Sequence, residues 1–228
     1  MPKKTAKKRV IKKEVKRAEE IESVDKISKA TQEKNQDKIL KWFLIGGLFF
    51  IVLVLALAYV VESTTKFEYQ GVDFKIVKTG NLVLYNTKIP VIVGGQKADY
   101  NFYLRNDPRK LYDEVPFEGN LNLARNLVLN STEDFNCDGF GVIGVANLVN
   151  LYKISGINVI KDGNATCDSD GMYGFINLQR GNGTKIEKTG VACYNINIYN
   201  CEILEATERM MLESLIEINK LADEENSG

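Results

Sequence analysis

Histidine is absent from this chain of 228 residues. Without histidine, the chain cannot build a Ser-His-Asp triad, a Cys-His pair or an HExxH zinc site, so enzyme classes that depend on them are excluded. The C-x-x-C motif of thioredoxin-like oxidoreductases is absent as well. The sequence therefore indicates no catalytic residue and no cofactor.

Charge is absent from residues 42–61, WFLIGGLFFIVLVLALAYVV. Twenty residues rising about 1.5 Å each make a helix of about 30 Å, which is the thickness of the hydrocarbon core of a bilayer. Trp42 and Tyr59 lie near the two ends, where amphipathic rings favour the headgroup region. We therefore predict a single transmembrane helix over residues 42–61.

The charges are divided unequally by this helix. Residues 1–41 hold fourteen Lys and Arg against seven Asp and Glu, a net charge of +7, so residues 42–228 carry −7 in a chain of zero formal charge. Because basic flanks stay cytoplasmic, we predict a single-pass signal-anchor of the plasma membrane with an extracytoplasmic C-terminal domain. A cleaved signal peptide is the alternative, since residues 56–58 read Ala-Leu-Ala, but the polar lead and the apolar run are both too long for one.

The basic tail, residues 1–41, concentrates its positive charge in residues 3–17, where nine basic residues stand against one acid. This composition predicts a solvated tail that sets the topology. The alternative is a segment that binds anionic lipid at the membrane surface. No aromatic residue is interleaved for base stacking, so the sequence predicts no specific nucleic-acid partner.

A β-rich membrane-proximal region is predicted over residues 62–124. Short runs rich in β-branched and aromatic residues alternate there with glycine and proline breaks. Near its end, residues 105–110 read RNDPRK, which we interpret as a polar, self-paired surface turn because Pro108 cannot continue a strand.

Residues 125–222 are predicted to form an α/β ectodomain core, followed by a disordered acidic tail at 223–228. An apolar run at 127–129, a helix over 141–154 and a strand at 157–160 indicate a parallel βαβ unit. Because its polar residues form one narrow stripe, this helix should be buried on most of its surface. A second helix, about 202–222, should expose Glu205, Glu208, Glu213 and Glu217.

The predicted fold class is therefore α+β. A single N-terminal transmembrane helix precedes an extracytoplasmic domain with a β-rich stalk part and a mixed sheet covered by two helices. Strands at 173–178, 185–187 and 194–199 complete this sheet.

All four cysteines follow the transmembrane segment, which favours disulfides in an oxidising compartment over four buried thiols. If residues 193–199 are extended, Cys193 and Cys201 lie about 26 Å apart, far beyond the reach of a disulfide. Of the remaining pairings we favour Cys137 with Cys201 and Cys167 with Cys193. The first two each lie between a strand and a helix start, the second two each precede a strand, and equivalent positions meet when strands run parallel.

A loop before the first ectodomain helix resembles half of a calcium-binding loop. Asp134, Asn136 and Asp138 place oxygen atoms at alternate positions and Gly139 permits a sharp turn, but the twelfth position, where an acid is expected, is Val145. The simpler alternative is that these side chains cap the N-terminus of the helix. We therefore predict no metal site and retain calcium as a weak candidate.

Gly139, Gly141 and Gly144 in the same segment match the G-x-G-x-x-G dinucleotide fingerprint. Eight residues separate them from the preceding strand, whereas the fingerprint requires the glycines directly after it. We therefore interpret these glycines as permitting close packing of the helix on the sheet. Asn130, Asn164 and Asn182 begin N-x-Ser/Thr sequons and are candidate glycosylation sites.

Four segments near the C-terminus, CDGFGVIGVANL, GINVI, GNGTKI and CYNINIYNCEILEATERMMLE, resemble archaeal single-pass membrane proteins with a cysteine-containing ectodomain and an uncharacterised activity. The resemblance covers roughly the last hundred residues and implies a cell type, but no activity and no site residues. We predict a membrane-anchored binding or scaffolding module of the cell envelope, with the lipid bilayer and an envelope protein as partners. The alternative is an envelope enzyme or thiol/disulfide redox protein that uses the ectodomain cysteines.

Overall fold

The structure, a computed structural model, describes residues 41–227. The predicted basic tail therefore lies outside the described residues, except for Lys41. Among the described residues, one helix, α1 (Lys41–Thr65), is long and apolar enough to cross a membrane, and it contains the predicted span. The described part of the chain divides after Val61 into two units, and the second unit contains both of the sheets found in residues 41–227.

The first sheet is an antiparallel meander of four strands in the order β1-β2-β3-β4. The strands are β1 (Lys66–Tyr69), β2 (Val72–Thr79), β3 (Leu82–Val93) and β4 (Gln96–Leu104). The connecting turns contain Gly71, Gly80, Gly94 and Gly95, all with positive φ, which suits the tight left-handed turns of hairpins. The strands predicted within residues 62–124 are thus present.

The polar turn predicted at residues 105–110 is confirmed in its self-pairing, because Arg109 forms an ion pair with Asp107, but it is wrong for residues 108–110, which begin a helix, α2 (Pro108–Glu114). Asp107 is the N-cap residue: its Oδ1 accepts the backbone N–H of Arg109 at 3.0 Å. Pro108 occupies the first helical position, where its missing N–H costs nothing. Thus Asp107 and Pro108 start a helix, and residues 62–227 contain more than the two predicted helices.

The second sheet is mixed and has the order β5-β9-β10-β8-β6-β7. Strands β6, β7, β8 and β10 run parallel, while β9 is antiparallel to β10 and pairs parallel with β5. The strands are β5 (Phe117–Glu118), β6 (Asn126–Ser131), β7 (Asn158–Ile160), β8 (Gly174–Arg180), β9 (Lys185–Lys188) and β10 (Cys193–Ile198). With helix α3 (Phe140–Ile154) between β6 and β7, the predicted parallel βαβ unit is confirmed.

The last helix, α4 (Ile203–Ser227), continues past the predicted end near Ala222, so the predicted acidic tail is helical as far as Ser227. It contacts α2, α3, β2, β9 and β10. One cluster of buried apolar side chains therefore unites both sheets and the helices, and it includes Phe74, Phe102, Leu148, Ile196 and Met211.

One burial prediction is refined by this packing and another is corrected. Most residues of helix α3 are buried or half-buried as predicted, but its exposed side includes apolar residues, since Val142 is 66% exposed and Phe140 is 44% exposed. Helix α4 does not expose Glu208, which is 0% exposed. The physical reason is the position of the helices: α3 packs mainly against α4 and the edge strand β7, whereas α4 has neighbours on several sides.

The start of α3 also differs from its prediction. Its N-cap is Gly139, and no side chain caps it, so the interpretation of Asp138 as a cap is wrong. Instead, the N–H groups of Gly139 and Gly141 both donate to the carbonyl of Asn136, at 2.9 and 3.2 Å. The loop main chain thus performs the capping role.

The α3 glycines do permit close packing, but not against the sheet as predicted. A Cβ at Gly141 would lie 1.5 Å from the carbonyl oxygen of Phe135, and one at Gly144 would lie 2.5 Å from Thr207 Oγ1. Their partners are therefore the preceding loop and helix α4.

Candidate functional site

A cleft of about 810 Å³ lies between α3 and the β6–β7 edge of the mixed sheet. Residues on one side of α3, three or four positions apart, form the first wall, and strand residues form the second. We call it the α3–β7 cleft; its apolar lining comprises Leu129, Phe135, Val142, Val145, Ala146, Val149, Val159, Ile160, Leu178 and Ile203. In α/β sheets, ligands commonly bind outside the carboxyl ends of parallel strands, and the cleft includes the ends of β6 and β7.

Polar side chains collect where β6 and β7 end. Asn130 and Ser131 close β6, Asp134 follows in the loop, and Lys161 follows β7. Asn130 Nδ2 donates to the carbonyl of Ala165 at 3.4 Å, which ties the cleft to the loop after β7. The cleft is thus mainly apolar along its length, with most of its polar side chains at the strand ends and Lys153 in the last turn of α3.

The charges of the cleft are only partly paired. Glu133 forms an ion pair with Arg180 of β8. Within residues 41–227, the side chains of Asp134, Lys153 and Lys161 have no hydrogen-bond or ion-pair partner. Charged groups of both signs are therefore available to a ligand.

The loop at the polar end is held by a disulfide. Cys137 is bonded to Cys201, with Cα atoms 5.5 Å apart, and Cys167 to Cys193, with Cα atoms 5.7 Å apart. This is the pairing that we favoured. Its basis holds as well, because β6, β8 and β10 are parallel and equivalent strand ends meet.

The calcium candidates are not brought together as a ligand set. Asp134 and Asn136 line the cleft, whereas Asp138 is in a left-handed turn with φ of 55°. Among residues 41–227, no group of three or more Asp, Glu, Cys or His side chains is placed to hold a metal ion.

The three sequons differ in their surroundings. Asn130 is half-buried in β6, and Nδ2, the atom that would carry a glycan, is hydrogen-bonded. Asn164 and Asn182 are exposed in loops. The structure therefore leaves the last two more accessible than the first.

Two consecutive charged residues of α4, Glu208 and Arg209, are buried, which the sequence did not indicate. Glu208 Oε1 accepts the backbone N–H of Arg105 at 2.7 Å, and Oε2 accepts the backbone N–H of Asn106 at 2.8 Å. Burial raises the pKa of Glu208 to about 7, against these hydrogen bonds, which lower it. These contacts join the end of β4 to α4.

Arg209 is 2% exposed. Its Nε donates to the carbonyl of Val115 at 3.1 Å, and its guanidinium lies 4.9 Å from the ring centre of Tyr112 and 5.5 Å from that of Phe117. Neither Glu208 nor Arg209 lines the cleft. Their role is structural, and no sequence signal distinguishes them from the exposed acids and bases around them.

Comparison with protein-family models, with curated proteins and with solved structures gives no match to this chain. The resemblance to archaeal membrane proteins stays a prediction.

Proposed function

We propose that this chain is a single-pass plasma-membrane protein whose extracytoplasmic domain binds a small, mostly apolar ligand in the α3–β7 cleft. Its proposed partners are the lipid bilayer and an envelope protein. The apolar helix α1 and the two disulfides support a membrane-anchored or secreted protein, and the charge of the N-terminal tail supports a cytoplasmic N-terminus.

The observation that carries the proposal is the exposure of apolar side chains along the cleft. Val142 is 66% exposed, and Ile160 is 40% exposed across from it. The volume of about 810 Å³ lies within the roughly 300–1,000 Å³ of small-molecule sites. A ligand with an apolar body would bury this surface, and its polar groups would meet Asp134 and Lys161 at the strand ends.

Hydrogen bonding in the cleft favours binding over catalysis. Ser131 Oγ donates to the backbone carbonyl of Glu133 at 2.5 Å. A nucleophilic serine would instead need a base that accepts its proton. Ser131 therefore stabilises the loop that borders the cleft.

The test is to fill the cleft. Ala146 is exposed and lines the cleft, so Ala146→Trp should occupy the space between the walls. The matched control is Ala98→Trp, at an exposed position of β4 away from the cleft. The full chain in lipid nanodiscs is titrated with the fluorescent probe 8-anilino-1-naphthalenesulfonate, and the background from lipid is common to all variants.

We expect saturable probe binding to wild type and Ala98→Trp, and at least a tenfold loss of affinity, about 1.4 kcal/mol, in Ala146→Trp. Equal binding to both variants, or no saturable binding to wild type, would show that the cleft is not a binding site.

A further inference from the structure

The two disulfides lie in different surroundings. Cys193 is 0% exposed, and Gly190 packs so closely that a Cβ there would lie 2.6 Å from Cys167 Sγ and 3.2 Å from Cys193 Sγ. Cys167, the partner of Cys193, is exposed. In the other disulfide Cys201 is exposed and Cys137 is half-buried, so neither of its cysteines is fully buried. A reductant can therefore reach Cys137–Cys201 from both cysteines, but Cys167–Cys193 only from Cys167.

The backbone at Cys137–Cys201 is strained. Within residues 41–227, five residues other than glycine have positive φ, and four flank this disulfide: Cys137 (44°), Asp138 (55°), Asn200 (44°) and Cys201 (62°). Asparagine and aspartate tolerate the left-handed region, but cysteine has no side chain–backbone bond to compensate for the steric cost. Exposed and strained disulfides are the ones that are most readily reduced.

This disulfide is joined directly to the cleft. Phe135 and Asn136, which precede Cys137, line the cleft, as does Ile203, which follows Cys201 by two residues. No side chain caps the start of α3, so the loop conformation around Asn136 supplies its capping bonds. The disulfide therefore holds the loop that shapes the polar end of the cleft.

We propose that Cys137–Cys201 is a site of reversible thiol–disulfide exchange with an extracytoplasmic dithiol, and that its reduction lowers the affinity of the α3–β7 cleft for its ligand. The effect on the cleft rests on the proposed function. A thiolate of the dithiol attacks Cys201 Sγ, the S–S bond breaks, and Cys137 leaves as a thiolate that takes up a proton.

The second thiol of the dithiol then attacks the mixed disulfide and releases the Cys201 thiol. In total, two electrons and two protons pass from the dithiol to the protein, and the dithiol becomes a disulfide. Once the bond is broken, Cys137 and Cys201 are free to leave the left-handed region, and the loop that lines the cleft can move.

The experiment uses the full chain in lipid nanodiscs, equilibrated with increasing ratios of reduced to oxidised dithiothreitol. Free thiols are trapped by acid quenching and alkylation, and each cysteine is quantified by peptide mass spectrometry. We expect Cys137 and Cys201 to become reduced at a dithiothreitol ratio about tenfold or more below that needed for Cys167 and Cys193, a gap of about 30 mV or more.

The second readout is binding of 8-anilino-1-naphthalenesulfonate to the selectively reduced protein and to Cys137→Ser/Cys201→Ser, which cannot form the bond. We expect both to bind the probe at least several-fold more weakly than the oxidised protein. Simultaneous reduction of the two disulfides, or earlier reduction of Cys167–Cys193, would overturn the exchange site. If Cys137–Cys201 is reduced selectively but the probe affinity does not change, the proposed effect of the disulfide on the cleft is overturned. If oxidised wild type does not bind the probe, the proposed function is overturned instead.

Discussion

Helices α3 and α4 each contain residues that depart, in opposite directions, from the usual relation between hydrophobicity and burial. Helix α3 is almost wholly apolar, yet Val142 and Phe140 are exposed. Helix α4 is rich in charge, yet Glu208 and Arg209 are almost completely buried. The comparison teaches that burial depends on how many elements surround a helix. The proposed binding role of α3 rests on the first of these departures, and the stability predictions below rest on the second.

The buried polar groups of α4 are compatible with folding because each has a partner. Ser214 Oγ hydrogen-bonds to Tyr152 of α3 at 2.9 Å, and burial raises the pKa of that tyrosine. Thr207 Oγ1 donates to the carbonyl of Ile203 at 2.7 Å. A buried polar group that keeps its hydrogen bonds costs little, whereas one that loses them is expensive.

The largest effect is expected for Arg209→Ala. The substitution leaves the carbonyl of Val115 without a donor and opens a cavity beside the rings of Tyr112 and Phe117. Glu213, which forms an ion pair with Arg209, also loses its partner. We therefore expect the free energy of unfolding to fall by about 3–5 kcal/mol, as for removal of one partner of a buried charge pair. Urea titration measures it, with the exposed Arg125→Ala as control. If both variants lose the same amount, buried charge on α4 is not what stabilises the fold.

The second prediction concerns the pH dependence of stability through Glu208. Burial raises its pKa from 4.5 to about 7 in the folded state. As pH falls from 8 to 5, the folded protein binds a proton that the unfolded chain does not, so wild type gains stability relative to Glu208→Gln. We expect a gain of about 2–3 kcal/mol, from urea titrations at each pH.

The control for this pH effect is Glu114→Gln, at an exposed position of α2. Its stability should track that of wild type at every pH. If the difference in free energy of unfolding between wild type and Glu208→Gln stays constant from pH 8 to pH 5, the pKa of the Glu208 carboxyl is not raised.

A smaller effect is expected where the two helices touch. A Cβ at Gly144 would lie 2.5 Å from Thr207 Oγ1, so Gly144→Ala should destabilise the fold by about 1–3 kcal/mol through overpacking. Gly144→Ala/Thr207→Ala should recover part of that loss because it removes the opposing atom. Gly183→Ala, where a Cβ meets nothing within 4 Å, is the control. If the double variant does not recover stability, the loss in Gly144→Ala is not caused by a clash with Thr207.

The smallest effect on stability is expected at the cleft. Val142 is exposed, so Val142→Asn should change the free energy of unfolding by no more than about 0.5 kcal/mol. Leu148→Ala, on the buried side of the same helix, should cost about 2–5 kcal/mol. The same Val142→Asn protein should bind 8-anilino-1-naphthalenesulfonate more weakly. A large loss of stability in Val142→Asn would mean that its exposed surface is part of the fold.

Features set by near neighbours in the chain could be predicted from the sequence. The uncharged run at 42–61 indicated a helix of membrane-spanning length, and alternation in residues 194–199 indicated strand β10. The equivalent positions of the cysteines relative to strands and helices led to the cysteine pairing, on the condition that the strands run parallel. Even helix α2 carried a local signal in Asp107 and Pro108, which we interpreted as a turn.

What only the tertiary structure decided depends on residues far apart in the chain. Glu208 is buried because α4 brings it to the backbone of Arg105 and Asn106, about a hundred positions earlier. Gly144 lets α3 pack closely on Thr207 of α4, whereas Val142 and Val149 of the same helix line the α3–β7 cleft. Local periodicity determines which element forms, since it reflects interactions within a few residues. Which side of that element meets protein, and which meets solvent or a ligand, is set by the packing of whole elements, and no short stretch of sequence contains that information.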